Sequence, residues 1–82
     1  MFYELISWEN EPLIKSNDLK EVREKFLSYV KDTKNEYVVN GDKTEEEVEE
    51  EVNDMRESIK EEVFFNDTLN DYGFEPLIKR VA

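Results

Sequence analysis

From Thr44 to Phe65 the apolar residues return every three or four positions: Val48, Val52, Met55, Ile59 and Val63. That spacing is the period of an α-helix with one buried face. Everything between these residues is polar, so the segment can enter a fold in few other ways. Thr44 with Glu47 three residues later forms a capping box that marks where the helix starts. The pattern predicts one helix over residues 45–65. Residues 66–72 would add a short helical turn, and Gly73 would end it as the left-handed C′ residue.

A second helix is predicted over residues 18–32. Asp18 and Glu21 resemble a capping box, and Leu19, Val22, Phe26 and Val30 form its apolar stripe. Residues 2–8, rich in aromatic and branched side chains, read as a strand. A turn at Asn10–Pro12 would lead into a short returning strand at 13–15. Residues 36–39 read as a further short strand, and Asn40-Gly41 as a turn into the acidic helix. Residues 74–81 read as the last strand. The predicted fold is α+β, a mostly antiparallel sheet of three to four strands with two main helices on one face. Its core would hold Phe2, Ile6, Leu19, Val22, Phe26, Val30, Val48, Val52, Met55, Ile59 and Val63. The Phe2/Ile6/Trp8 and Tyr3/Leu5 faces of the first strand are both apolar, so its buried side is left open.

The pentapeptide Glu-Pro-Leu-Ile-Lys occurs twice, at 11–15 and 75–79. Its structural reading is two Pro-started edge strands of one sheet. Its functional reading is a motif used twice against a symmetric partner.

With 82 residues the chain is expected to form a single domain over 1–82, with no linker. A domain of this size buries roughly 60% of its unfolded surface. Its 12% aromatic content argues against disorder. It has no Cys and no His. That excludes disulfide frameworks, zinc ribbons, thiol nucleophiles and the commonest general base. No segment fits an EF-hand, a phosphate loop or a nucleophile elbow. The expectation is a protein with no catalytic activity, no metal and no cofactor. The N-terminus lacks the features of a signal peptide and no stretch approaches a membrane span, which suggests the cytoplasm.

The net charge is −11, from 22 acids and 11 bases. Residues 42–62 hold eleven acids and three bases, and so carry eight of the eleven excess charges. At 100° per residue, Glu46, Glu50, Asp54, Glu57 and Glu61 fall opposite the apolar stripe. Glu47 and Glu51 flank them, while Glu49 shares the other flank with Arg56 and Lys60. The acidic row would run roughly 22 Å along the helix axis. Its like-charged i,i+4 pairs each cost about 0.2–0.5 kcal/mol at low salt. The plain reading is solubility. The functional reading is a recognition surface for cations, with Glu46, Glu47, Glu50, Glu51, Asp54, Glu57 and Glu61 as the partner-binding residues.

The stretch NEYVVNGDKTEEEVEEEVNDM, residues 35–55, resembles in style the small acidic inhibitors that phages direct at host DNA-binding proteins, DNA mimics and anti-CRISPR proteins among them. The likeness lies in size, charge and the order strand, turn, acidic helix. It implies binding to a basic nuclease or polymerase surface in the host cytoplasm, and no catalysis. The charge of −11 argues against direct contact with nucleic acid or anionic membrane, and the expected partner is a basic protein, a nuclease or other nucleic-acid-binding protein, met by a monomer or weak homodimer. The alternative is a structural or regulatory interaction module. That module would use the helix seam or an aromatic patch at Trp8, Phe64 and Phe65, with the acids serving solubility.

Overall fold

The computed structural model describes residues 1–80. In chain order the elements are β1 (Phe2–Ile6), β2 (Pro12–Ser16), α1 (Leu19–Val39), α2 (Glu45–Ser58), α3 (Glu62–Asp71) and β3 (Ile78–Arg80). The strands form one antiparallel sheet in the order β2-β1-β3. This is the predicted α+β class, with three strands and three helices.

The β1–β2 hairpin closes through Trp8, Glu9 and Asn10. Asn10 N–H donates to the Ser7 carbonyl and Ser7 N–H to the Glu11 carbonyl, both at 2.9 Å. Asn10 takes the left-handed position at φ 62°, which Asn adopts more readily than other residues apart from Gly. Trp8 therefore sits in the loop and not in the strand. Its indole N–H donates to Tyr29 Oη at 2.9 Å.

Leu5 is fully buried, and Tyr3 packs against the same core. The Tyr3/Leu5 face is thus the inner face, and Phe2 and Ile6, expected in the core, are only half-buried on the other side. A register shift after Leu5 leaves Leu13 unpaired between Ile14, opposite Leu5, and Pro12, opposite Ile6. This bulge lets two consecutive apolar residues, Leu13 and Ile14, both lean on the core.

The two copies of the repeated pentapeptide flank the same central strand. Ile14 pairs with Leu5, whereas Ile78 pairs with Glu4. The second copy is therefore offset by one residue, and its buried side chain is Leu77. A one-residue offset in a period-two structure turns every side chain over. Both copies reach edge strands of one sheet, as the structural reading expects, but only β2 starts at its proline: Pro76 lies ahead of β3, which begins at Ile78.

Three expectations about the helices are corrected. First, residues 36–39 are helical, so the strand expected there, and with it the strand-turn-helix order of residues 35–55, does not occur. Val38 packs on the core eight residues beyond Val30, which carries the stripe of α1 two turns further. Two adjacent valines mimic a strand when read alone. Second, α1 has no reciprocal capping box. Asp18 accepts from Lys20 N–H at 3.0 Å, while the Glu21 carboxylate accepts from the Ser16 hydroxyl at 3.0 Å.

Third, the long acidic helix is two helices. α2 stops at Ser58, and α3 begins at Glu62. Arg23 Nη1 donates to the Lys60 carbonyl at 2.7 Å, which satisfies a backbone acceptor freed by the break. Packing explains it. On one continuous helix Phe65 would lie about 240° around from Ile59. The break reorients the chain so that Ile59, Phe65 and Leu69 are all fully buried. Val63, expected in the core, is turned outward and is 60% exposed. The described part of the last strand starts at Ile78, later than expected; Val81 lies outside the described residues.

Phe26 is the centre of the core. Its ring meets Phe65, Tyr72 and Phe74 at centroid distances of 5.7, 5.5 and 5.3 Å, two of them edge-on. Such aromatic pairs add about 0.5–1.5 kcal/mol beyond their buried area. Gly73, at φ 75°, ends α3 as the spacing predicts. Gly73 N–H donates to the Asn70 carbonyl and Phe74 N–H to the Leu69 carbonyl, a Schellman motif whose flanking residues Leu69 and Phe74 are both buried.

Candidate partner-binding surface

Eight of the fourteen residues of α2 are acidic, and one is basic. Thr44 starts the helix with the predicted capping box: Glu47 N–H donates to Thr44 Oγ1 at 3.1 Å, and Thr44 N–H donates to the Glu47 carboxylate at 3.2 Å. Glu45, Glu46 and Glu47 meet the positive end of the helix dipole. Val48 and Val52 are buried, Met55 is half-buried, and Ile59 caps the helix inside the core. The apolar stripe is thus spent on the domain's own core, largely against α1.

Burying that stripe fixes where the acids go. One flank is tied to α1 by Lys31–Glu49 at 2.9 Å and by Arg56–Glu24, a two-pronged contact at 2.9 and 3.0 Å. On the other flank, Glu51 lies between Lys43, which donates to its Oε1, and Lys34, whose Nζ stands 3.5 Å from the buried Oε2. On the first flank Glu24 meets Arg56 and Lys31 meets Glu49, an order that runs in opposite chain directions, so α1 and α2 lie antiparallel with ion pairs along the seam. Hydrogen bonds from Lys31 and Lys43 hold the carboxyls of Glu49 and Glu51 below the usual range. Arg56 does the same for Glu24. Glu57 is lowered by a hydrogen bond from Lys60, at 2.8 Å, but both side chains are mostly exposed. Surface pairs of that kind contribute little to stability.

The seven candidate residues therefore divide. Glu51 is internally neutralised, Glu57 is loosely paired, and Glu47 serves the cap. Glu61 is the N-cap residue of α3 and lies beyond the break. Glu46, Glu50 and Asp54 are exposed, and none has an ionic partner among the described residues. They stand at i, i+4 and i+8 on one face of α2. The uninterrupted row is roughly 12 Å long, about half the expected length.

The apolar surface divides in the same way. Phe65 is fully buried and is not available as the partner patch expected of it. Trp8 and Phe64 are 59% and 52% exposed, and Val63 stands beside Phe64. Val63 was masked in the sequence by its fit to the helical period of residues 48–59. The signal that could have revealed it is the Phe65–Leu69 pair, which defines a second stripe out of phase with the first.

Among the described residues no helix is long and apolar enough to cross a membrane. No three acidic side chains there converge as metal ligands would. No family model, curated protein or solved structure matches the chain.

Proposed function

We propose that this chain is a non-catalytic acidic protein that docks through α2 onto a basic, nucleic-acid-binding surface of another protein and blocks it. The observation that carries this reading is the row Glu46–Glu50–Asp54. Its three carboxylates are exposed and have no ionic partner among the described residues, while Glu49 on one flank and Glu51 on the other are paired with lysines of the same fold. The row has i,i+4 repulsion at each step. A helix selected for stability alone would carry lysines at one or two of these positions.

Carboxylates roughly 6 Å apart along a helix are about half as dense as the phosphates of one DNA strand, at about 3.4 Å. The row is suited to replace part of one strand at an arginine-lined groove. Arginine would pair with each carboxylate through two parallel hydrogen bonds. Opposite net charges would speed the encounter and make it salt-sensitive. The protein would act in the cytoplasm on a nuclease or similar enzyme, in the manner of a DNA mimic or anti-CRISPR inhibitor.

The test is a pull-down from cell lysate at low and high salt, followed by displacement of duplex DNA from the captured protein. Binding should fall steeply with salt and vanish in the variant carrying Glu46→Lys, Glu50→Lys and Asp54→Lys. Capture that survives those three changes, or that is indifferent to salt, overturns the reading.

A further inference from the structure

From the break between α2 and α3 we infer a second element of the docking surface: Val63 and Phe64 form an apolar anchor for a basic amphipathic helix of the partner. This inference rests on the reading of α2 as a cation-binding face, and it adds what charge cannot supply, a contact that resists dissociation.

The argument starts from the helix break. Burying Ile59, Phe65 and Leu69 together requires the chain to stop one helix at Ser58 and start another at Glu62. The cost is that Val63 and Phe64, adjacent in the first turn of α3, face outward at 60% and 52% exposure. Phe65, the next residue, is fully buried and holds this end of α3 on the core, and Glu62 pairs with Lys79 of β3 at 2.7 Å. The pair is therefore presented from a fixed helix end. Side chains held on a rigid element lose little entropy on binding.

The surroundings select the occupant. Glu61 precedes the pair, and Asp67 and Asp71 follow Phe64 at i+3 and i+7 on the outward side of α3. All three are exposed, without an ionic partner among the described residues. Phe64 is thus an apolar contact between carboxylates one turn away on either side. A second copy of this chain is a poor occupant, because it brings the same acids and a charge of −11 against a charge of −11. A helix with one or two large apolar side chains bordered by Lys or Arg satisfies both components. Aromatic anchors at the centre of an interface, ringed by charge at the rim, are the usual energetic arrangement.

The two elements separate kinetically: rim charges act mainly on association and its salt dependence, buried anchors mainly on dissociation. The probes are a helical Leu/Lys amphipathic peptide and a polylysine of equal charge, titrated by calorimetry and by stopped flow against the full chain. The amphipathic peptide should bind about tenfold more tightly than polylysine, a typical loss for an anchor residue. Phe64→Ser with Val63→Ser should erase that advantage through faster dissociation and leave polylysine binding unchanged. Because both side chains are already exposed, the variant should keep its fold, which circular dichroism checks. Equal affinity of the two peptides for the wild type overturns this inference while leaving the charge reading intact. Polylysine binding that is absent, or unchanged by Glu46→Lys, Glu50→Lys and Asp54→Lys, overturns both. Concentration-dependent self-association abolished by Phe64→Ser makes a second copy the occupant and also overturns the inference.

Discussion

Glu50→Lys should make the protein more stable and less able to bind. Glu50 stands at the middle of the exposed row, with Glu46 one turn before it and Asp54 one turn after. Neither neighbour has an ionic partner among the described residues, and Glu50 lies too far along α2 to benefit from the dipole at its start. The substitution removes two like-charged i,i+4 pairs and creates two attractive ones. At about 0.2–0.5 kcal/mol for each of the four changes, the gain is about 0.8–2 kcal/mol at low ionic strength. For a domain of this size each 1 kcal/mol raises Tm by roughly 4–8 °C. The assay is thermal unfolding by circular dichroism in 10 mM and 1 M salt. The gain should be large in the first and mostly gone in the second, where the screening length is about 3 Å. In a stability-neutral surface, a more stable variant would be expected to bind its partner as well as the wild type. Here it should lose most of its affinity for polylysine. A Tm that stays level or falls at low salt would refute the reasoning, because Glu50 would then be making a favourable contact.

Phe26→Ala removes the ring at the centre of four packed aromatics and should cost about 3–5 kcal/mol, seen as loss of a cooperative urea transition. Thr44→Ala should cost about 1 kcal/mol, because it breaks the capping box that starts α2; urea midpoints with an unchanged m-value would show this. Gly73→Ala forces a side chain into a left-handed conformation, with its Cβ 3.4 Å from the Cβ of Trp8, and should cost about 1 kcal/mol or more. The Glu51 carboxyl is held below its ordinary value of 4.5 by the hydrogen bond from Lys43, with Lys34 adding to it. A lowered folded-state value contributes stability that is present above the unfolded value and lost as pH falls through the folded one. Glu51→Gln should therefore be less stable than wild type at neutral pH, with a gap that narrows as pH drops below about 4.5. Denaturant unfolding of both proteins from pH 7 to pH 3 checks the sign.

The local signals in the chain were sufficient for local features. The period of Val48, Val52, Met55 and Ile59, the Thr44/Glu47 cap, the turn at Gly41 and the stop at Gly73 each depend on residues within a few positions of one another. All four stand in the structure as they read. The α+β class followed from the same signals, as did the division of α2 into a buried face, two flanks and an acidic outer face. Tertiary packing decided the rest. Residues 36–39 carry strand propensity but became helix because Val38 continues a stripe that only the core can use. The Val63-Phe64-Phe65 triplet cannot face inward all at once, and the choice of Phe65 depended on Phe26, thirty-nine residues earlier in the chain but adjacent in space. That choice broke the helix, took Glu61 out of the acidic row and turned Val63 and Phe64 outward. Which carboxylates stayed free was likewise a matter of where Lys31, Lys34 and Lys43 arrived. Charge along a chain is a property of its residues; charge on a surface depends on which cations folding brings within reach.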